Sequence, residues 1–236
     1  MTAHPEPDRT RETAAGRVMR SSFRGHRWFA AVYGWMTWRS EATFMKRIRG
    51  QLLGGARGDV LEVGAGTGAN FPYYCGCAYR RLVVATEPDA YMLKRARRRL
   101  TKLDLQIDLQ HARAEELPFA DGSFDTVVCS LALCTVQDPD RSLAEIHRVL
   151  KPTGQFRFYE HVRSANRLEA FTQDVMTPLW EWLGGGCHPN RDITQAMEQA
   201  GFRIVELRRS KPFLPIPFLA PTRPHVLGAA EPMQRG

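Results

Sequence analysis

Residues 59–71 read DVLEVGAGTGANF, and this stretch decides the fold of the chain. It opens with an apolar run typical of a strand buried inside a parallel sheet, formed by Val60, Leu61 and Val63. Three glycines then follow at alternate positions, namely Gly64, Gly66 and Gly68. A residue without a Cβ lets the backbone turn sharply and lets a ligand approach closely. Because ligands of open α/β sheets bind beyond the carboxyl ends of strands, the stretch predicts a strand followed by a ligand-binding turn.

The spacing of these glycines separates two kinds of ligand. The dinucleotide fingerprint Gly-x-Gly-x-x-Gly would place its last glycine at position 69, which is Ala69. Glu62 lies two positions before the first glycine, and this pattern resembles motif I of the class I S-adenosylmethionine (SAM) methyltransferases, whose acidic residue holds the methionine amino group. A carboxylate suits a ligand that carries a sulfonium and an ammonium better than it suits a pyrophosphate. The resemblance implies SAM as the cofactor, bound by Glu62, Gly64, Ala65, Gly66 and Gly68, with a nicotinamide dinucleotide as the alternative.

The composition predicts a globular protein with one sizeable core, since the 236 residues are 43% hydrophobic and 25% charged. No run of 18 apolar residues occurs, so no membrane-spanning helix is predicted. The N-terminus also lacks the basic start and apolar core of a secretory signal. We therefore expect a cytoplasmic protein.

The net charge of +8 is concentrated at the N-terminus, where residues 1–50 hold ten basic and four acidic residues. Residues 1–20 are polar without hydrophobic periodicity and are predicted to form a disordered basic arm. Residues 21–55 carry aromatic and aliphatic side chains spaced in threes and fours, which predicts one or two helices. These helices are expected to pack over the substrate pocket or to touch a membrane peripherally. No specific nucleic acid is expected as a partner, because no recognition module is present and a solvated basic arm is the commoner outcome.

Strand and helix patterns alternate after Val60, which predicts a doubly wound, mostly parallel α/β sheet formed by a domain at residues 56–236. The predicted strands after the first are 81–86, 105–109, 126–130, 155–162, 202–208 and a short 226–230 at the sheet edge. The predicted helices are 69–75, 91–103, 138–150, 167–183 with a break at Pro178, and 191–200. Residues 212–221 hold four prolines and are expected to form a non-helical apolar loop.

The second strand ends in Glu87-Pro88-Asp89, about 20 residues after the glycine turn, where nucleotides and SAM have their ribose hydroxyls bound. Two acceptor oxygens make Glu87 the candidate for both hydroxyls, with Pro88 beside it. The alternative role, an acid at the start of a helix, fits Asp89 better.

The string Ala114-Glu-Glu-Leu-Pro-Phe119 resembles the quinone-methylating and related small-molecule branch of the SAM enzymes. In that branch the loop before Leu-Pro-Phe grips adenine, and an aspartate commonly precedes the alanine, whereas this chain has Arg113. The resemblance therefore implies adenine contacts from Ala114, Glu115 or backbone groups. Ser130, at the end of the fourth predicted strand, completes the predicted cofactor site.

Several further strings resemble the alkyl thiol S-methyltransferases of animals and their bacterial relatives: CSLALCTVQ at 129–137, Glu-His-Val at 160–162, Gly186-Cys187 followed by Arg191, Pro224-His225 and Gly228. The resemblance covers residues 58–230, although the animal enzymes carry an apolar N-terminal anchor and this chain has a basic arm. It implies that the partner is a small-molecule methyl acceptor, with an alkyl thiol favoured. Methylation at carbon, oxygen or nitrogen of a quinone, phenol or phospholipid amine is the alternative.

The acceptor site is predicted from the same strings and comprises Cys134, His161, Cys187 and Arg191. His161 is the candidate catalytic base because an unperturbed imidazole has a pKa near 6.5, with a purely structural histidine as the alternative. A dedicated base is not required, since a thiol is already partly ionised at neutral pH. The five cysteines form no Cys-x-x-Cys pair and have no histidine clustered with them along the sequence, so neither a metal site nor a disulfide is predicted.

Overall fold

The structure, a computed structural model, describes residues 44–74, 80–103, 105–183, 185–212 and 222–233. The helices are α1 (Lys46–Gly54), α2 (Ala90–Leu103), α3 (Pro139–Val149), α4 (Arg167–Leu183) and α5 (Ile193–Gln199). The strands are β1 (Gly58–Val63), β2 (Arg80–Thr86), β3 (Asp108–Gln110), β4 (Phe124–Ser130), β5 (Leu150–His161), β6 (Phe202–Ser210) and β7 (His225–Pro232). The predicted arm at 1–20, most of the helical segment at 21–55 and most of the loop at 212–221 lie outside the described residues.

The strands form one sheet in the order β3-β2-β1-β4-β5-β7-β6. The first five strands run parallel, while β7 is antiparallel to both β5 and β6. The doubly wound, mostly parallel sheet predicted from the sequence is therefore confirmed. The chain builds outward from β1 first through β2 and β3 and then, on the other side, through β4 and β5. This reversal puts a crevice at the carboxyl ends of β1 and β4, where open α/β sheets bind their ligands.

The last strand occupies a different place from the one predicted. β7 lies between β5 and β6, so β6 forms the edge of the sheet. Residues 225–230 are buried throughout, whereas most of β6 is exposed. A continuous apolar run such as Val226-Leu-Gly-Ala-Ala230 is typical of a strand covered on both faces, and that signal should have excluded the edge. A Cβ on Gly228 would lie 2.3 Å from the Glu206 carbonyl oxygen, so only glycine fits this interior position.

Two helix predictions were also wrong in detail. The chain after the glycine turn forms a short 3-10 helix at Phe71–Tyr74 instead of an α-helix from residue 69. The reason is the three alternate left-handed glycines before it, at positions 64, 66 and 68, which keep residues 66–70 in turns. α4 continues through Pro178 without a break. Pro178 is exposed, so the carbonyl that loses its partner there can turn toward water.

Helices cover both faces of the sheet, so the side chains of β1 pack into a core on each side. Leu61 and Val63 face a core shared with α3 and α5, while Val60 faces a second core shared with α1 and the 3-10 helix. Arg157 of β5 holds α1 in place by donating from Nη2 to the Gln51 carbonyl at 2.9 Å. Within the described residues, no helix has the length and apolar character needed to cross a membrane.

Candidate cofactor and acceptor site

The three glycines after β1 have different tasks, although all have positive φ, at 72°, 57° and 75° for Gly64, Gly66 and Gly68. A Cβ on Gly64 would lie 2.5 Å from the Cβ of Ala132, and one on Gly68 would lie 2.4 Å from the Phe71 ring. Both glycines are therefore needed for close packing. A Cβ on Gly66 would meet no atom within 4 Å, so the backbone of Gly66 is the part of the turn that faces open space.

Glu62 is almost fully buried at the end of β1. Its Oε1 accepts a hydrogen bond of 2.8 Å from the Asn70 side chain, which in turn accepts one from Arg49 of α1. Its Oε2 is buried and makes no hydrogen bond of normal geometry in the described part of the chain, although Tyr74 lies close to the carboxylate. Burial raises the pKa of Glu62 to about 7, although the side chains of Asn70 and Tyr74 and the charge of Arg49 oppose that shift. An unsatisfied buried oxygen beside an open glycine turn fits a cationic ligand group, and the methionine ammonium of SAM is such a group.

Glu87 lies at the end of β2 and reaches the glycine turn. Its Oε2 accepts from the backbone N–H of Gly66 and its Oε1 from that of Asp89, both at 2.8 Å. Burial raises the pKa of Glu87, while these two backbone hydrogen bonds lower it. Asp89 caps the first turn of α2 by accepting from two backbone N–H groups, so it has the helix-start role that the sequence assigned to it. Beside Glu87, the carbonyl of Pro88 is 2.7 Å from Nε2 of His111.

The loop between β3 and β4 carries the predicted adenine contacts. Ala114 and Glu115 are both buried. The Glu115 carboxylate accepts from the backbone N–H groups of Gln137 at 2.9 Å and Asp138 at 3.3 Å, and it pairs with Arg113. Burial raises the pKa of Glu115, but these hydrogen bonds outweigh it and leave the pKa lowered. Glu115 therefore ties this loop to the segment after β4, and its contact with adenine stays a prediction.

A buried carboxylate that was not among the predicted site residues shapes the turn after β4, here called the post-β4 turn (residues 131–136). Glu160 of β5 is fully buried and accepts three backbone hydrogen bonds, from Ala132 at 2.9 Å, Leu133 at 3.1 Å and Cys134 at 3.2 Å. Burial raises the pKa of Glu160, and the three backbone N–H groups oppose that shift. Leu131 opens the turn with φ of 55°, the left-handed region. Such a conformation persists where surrounding contacts impose it.

Arg191 closes the post-β4 turn from the other side. Its Nη1 donates to the carbonyls of Leu133 and Val136, each at 2.8 Å. The N–H of His188, in the same loop as Arg191, donates to the Cys134 carbonyl at 2.7 Å. Arg191 was predicted to bind the acceptor, and in the structure its guanidinium holds the turn that carries Cys134.

Cys134, His161 and Cys187 come together from three separate segments at this edge of the sheet. Nδ1 of His161 is 3.3 Å from Sγ of Cys134 and 3.6 Å from Sγ of Cys187, and the two sulfurs are 3.8 Å apart. Cys134 and Cys187 are buried, while His161 is half-buried. The contact between the thiols raises the pKa of Cys134 and lowers that of Cys187, which the imidazole lowers further. The fold thus brings together three of the four predicted acceptor residues, with Arg191 holding the adjacent turn.

The strand reversal, the open glycine turn and the acids ending β1 and β2 define a class I SAM-dependent methyltransferase. Residues 61–158 match the family model described as "Methyltransferase domain". The chain is 38% identical to human thiol S-methyltransferase TMT1B over 188 residues, covering 75% of this chain and 73% of that protein. It is 35% identical to human thiol S-methyltransferase TMT1A, covering 72% and 69%. The chain belongs to the methyltransferase family that contains these two proteins, and SAM is its cofactor.

Solved structures agree on the fold. The crystal structure of a putative methyltransferase from Bacillus halodurans C-125 superposes with a TM-score of 0.65 at 21% sequence identity, covering 79% of this chain and 99% of that one. At this identity the likeness supports the fold alone.

Proposed function

We propose that the protein transfers a methyl group from SAM to the sulfur of a small alkyl thiol. The observation that carries the proposal is its similarity to two human thiol S-methyltransferases over 72–75% of this chain. Methylation of a quinone, phenol or phospholipid amine is the alternative within the same class.

The cofactor would be held by residues at the carboxyl ends of neighbouring strands. We propose that Glu62 holds the ammonium, that Glu87 holds the ribose and that Gly66 admits the ligand to the backbone. Four more predicted residues sit at the same edge and are proposed as cofactor contacts: Ala65 after β1, Pro88 after β2, Ala114 after β3 and Ser130 at the end of β4. Bound SAM supplies a methyl group on a positively charged sulfonium sulfur.

The acceptor would lie over the post-β4 turn, beside the cofactor. A Cβ on Gly64 would clash with Ala132, so the glycine turn and the post-β4 turn are in close contact. Cys134, Cys187 and His161, which contact one another at or beside this turn, would then place two sulfurs and an imidazole next to the acceptor. Holding an acceptor sulfur in line with a methyl group can remove about 7–11 kcal/mol of the barrier. Positioning is therefore the main task of the site, and the predicted role of His161 as a base stays a prediction.

A panel of acceptors tests the proposal. Purified protein with SAM should methylate small alkyl thiols, and the rate at subsaturating thiol should rise with pH up to the pKa of each thiol, because the thiolate is the reactive form. Phenols, a quinol and phosphatidylethanolamine vesicles serve as the competing acceptors, with product identified by mass spectrometry. Product from a phenol, quinol or amine but from no thiol would end the S-methylation proposal and leave the SAM site standing.

We further propose that the N-terminal segment makes a peripheral membrane contact. The support is the aromatic spacing of residues 21–55 and the basic charge of residues 1–50. Of this segment the structure describes α1, which packs on the sheet through Arg157. Cosedimentation with anionic and neutral vesicles measures the contact, and equal absence from both pellets would contradict it.

A further inference from the structure

The spacing of the three atoms at the acceptor site matches a tetrahedral metal centre. With Zn–S near 2.3 Å and Zn–N near 2.0–2.1 Å, tetrahedral angles put two sulfur ligands about 3.8 Å apart and a sulfur and a nitrogen about 3.5 Å apart. The Sγ atoms of Cys134 and Cys187 are 3.8 Å apart, and Nδ1 of His161 is 3.3 Å and 3.6 Å from them. All three distances fall within a few tenths of an ångström of the tetrahedral values.

Each of the three donors lies on a segment that the fold holds in place. His161 ends β5, the longest strand of the described sheet. The backbone N–H of Cys134 is bound by the Glu160 carboxylate at 3.2 Å. The loop that carries Cys187 is tied to the same turn by the bond from the His188 N–H to the Cys134 carbonyl at 2.7 Å. The donors need little movement to share one ion, which is the preorganisation that a metal site requires.

The donor set also selects the ion. Two sulfurs and one imidazole favour Zn²⁺ over the harder cations that prefer oxygen. Two thiolates would balance the charge of a divalent ion inside the protein. In the described part of the chain, no fourth cysteine, histidine or acidic ligand atom joins the group. Three protein ligands with one open position are typical of a catalytic zinc site, whereas structural sites are closed by four.

We infer that Cys134, His161 and Cys187 form a Zn²⁺ site whose open position binds the acceptor thiol. The inference rests on the proposed function, because it assigns the substrate sulfur to that position. His161 is half-buried, so the group is not sealed from solvent. His161 then acts as a ligand and not as a base, since a thiol bound to a metal ion loses its proton outright.

The step balances in atoms and charge. The thiol displaces water from the ion and gives its proton to solvent, leaving a thiolate on the ion. A lone pair of that sulfur forms the new S–CH₃ bond, and the pair of the breaking sulfonium bond stays on the sulfur of S-adenosylhomocysteine. An anionic thiolate and a cationic sulfonium become two neutral thioethers. The neutral product is a weaker ligand than the thiolate, so water can replace it.

Metal content and cobalt substitution test the site without any need for turnover. Reduced full-length protein incubated with Zn²⁺ alone and desalted should hold one ion per chain by elemental analysis. Co²⁺ alone should give the intense d–d bands of tetrahedral coordination and thiolate-to-cobalt charge transfer. Cys134→Ser and Cys187→Ser should weaken Co²⁺ binding by more than the about 10–100-fold that changes outside the ligand shell cause. Cys129→Ala is the matched control, since Cys129 is buried in β4 and outside the group, and it should bind as the wild type does.

Adding a small alkyl thiol to the Co²⁺ form tests the open position. The expected result is a new charge-transfer contribution and a shift of the d–d bands that saturate with thiol. Failure of the reduced wild-type protein to retain one ion would overturn the inference, as would a Cys134–Cys187 disulfide persisting under reducing conditions. One ion with a spectrum that thiols leave unchanged would overturn the substrate role. A thiol-responsive spectrum without methyl transfer to any thiol would sustain the site and refute the proposed function, so the two failures are distinguishable.

Discussion

At the scale of single residues, Glu62 links cofactor binding to pH. Burial raises its pKa to about 7 in the cofactor-free protein, so the carboxyl group is mostly protonated below that pH. A cationic ligand favours the ionised form, and its binding must therefore release the proton. We expect the affinity for SAM to be lost as pH falls, by about tenfold per pH unit between pH 7 and pH 5. Calorimetry in buffers of different ionisation enthalpy should record proton release on binding over the same range.

Two variants isolate the contribution of Glu62. Glu62→Gln keeps an oxygen for Asn70 but cannot ionise, so its SAM affinity should be weak and its pH dependence reduced. Some dependence should persist because burial also raises the pKa of Glu87. Glu116→Gln changes an exposed glutamate in the nearby loop and should leave the wild-type slope intact. An equal slope in the wild type and Glu62→Gln would rule out Glu62 as the ammonium ligand.

Residues of the cofactor turn could be predicted because one short stretch contains them. Glu62 and Gly66 are four positions apart, and their spacing alone indicates their place at a strand end. The partners that complete the site are distant in sequence. Arg49 meets Asn70 across 21 positions, and Glu160 meets Cys134 across 26. No periodicity indicates such pairs, since they depend on how the elements pack.

At the scale of elements, the post-β4 turn is expected to govern acceptor binding more than cofactor binding. Arg191 donates to two of its carbonyls, and a hydrogen bond to a charged group contributes about 1.5–3 kcal/mol. Arg191→Met should loosen the turn and lower kcat/KM for the acceptor by about 10–100-fold. The Kd for SAM, measured by calorimetry, should stay within about twofold of the wild-type value. A change that small corresponds to a loss of less than about 1 kcal/mol in the free energy of cofactor binding.

The control for this variant is Arg163→Met, which removes an exposed pair with Asp174. Exposed pairs contribute about 0–1 kcal/mol, so acceptor kinetics should barely change. Unchanged acceptor kinetics in Arg191→Met would show that the turn keeps its shape without the guanidinium. Loss of SAM binding in a folded Arg191→Met protein would show that Arg191 serves the cofactor instead.

Local sequence patterns predicted single strands well but not how distant segments come together. Strands β1 and β4 were predicted closely because each is a compact apolar run. The acceptor group could not be predicted from one element, because its residues come from three segments. Cys134 follows β4, His161 ends β5 and Cys187 lies in the loop after α4. Their positions near strand ends suggested a shared edge, but neither their mutual distances nor the order of β7 and β6 is encoded in local pattern. The strand order depends on the antiparallel pairing of β7 with β5 and β6. The distances depend on the parallel pairing of β4 with β5 and on the bond from the His188 N–H to the Cys134 carbonyl.

At the scale of the whole molecule, the cofactor should act as a stabiliser of the fold, because its proposed contacts come from the ends of β1, β2 and β4 and from the loop after β3. A ligand that binds only the native state at 100 times its Kd adds about 2.7 kcal/mol to the free energy of unfolding. For a chain of this size that amounts to a rise in Tm of about 5–10 °C. Gly66→Val should abolish the rise, because the added side chain meets no protein atom within 4 Å at its Cβ and instead enters the space proposed for the ligand. The φ of 57° at this position strains any L residue, so the Tm of the ligand-free variant should also fall. Gly122→Val is the matched control, since Gly122 has φ of 59° and equally open surroundings, and it should keep the full rise on adding SAM. Thermal denaturation with and without SAM measures all three proteins. A full rise in Gly66→Val would place the cofactor elsewhere, and a wild-type protein that folds but shows no rise would refute native-state binding at this edge.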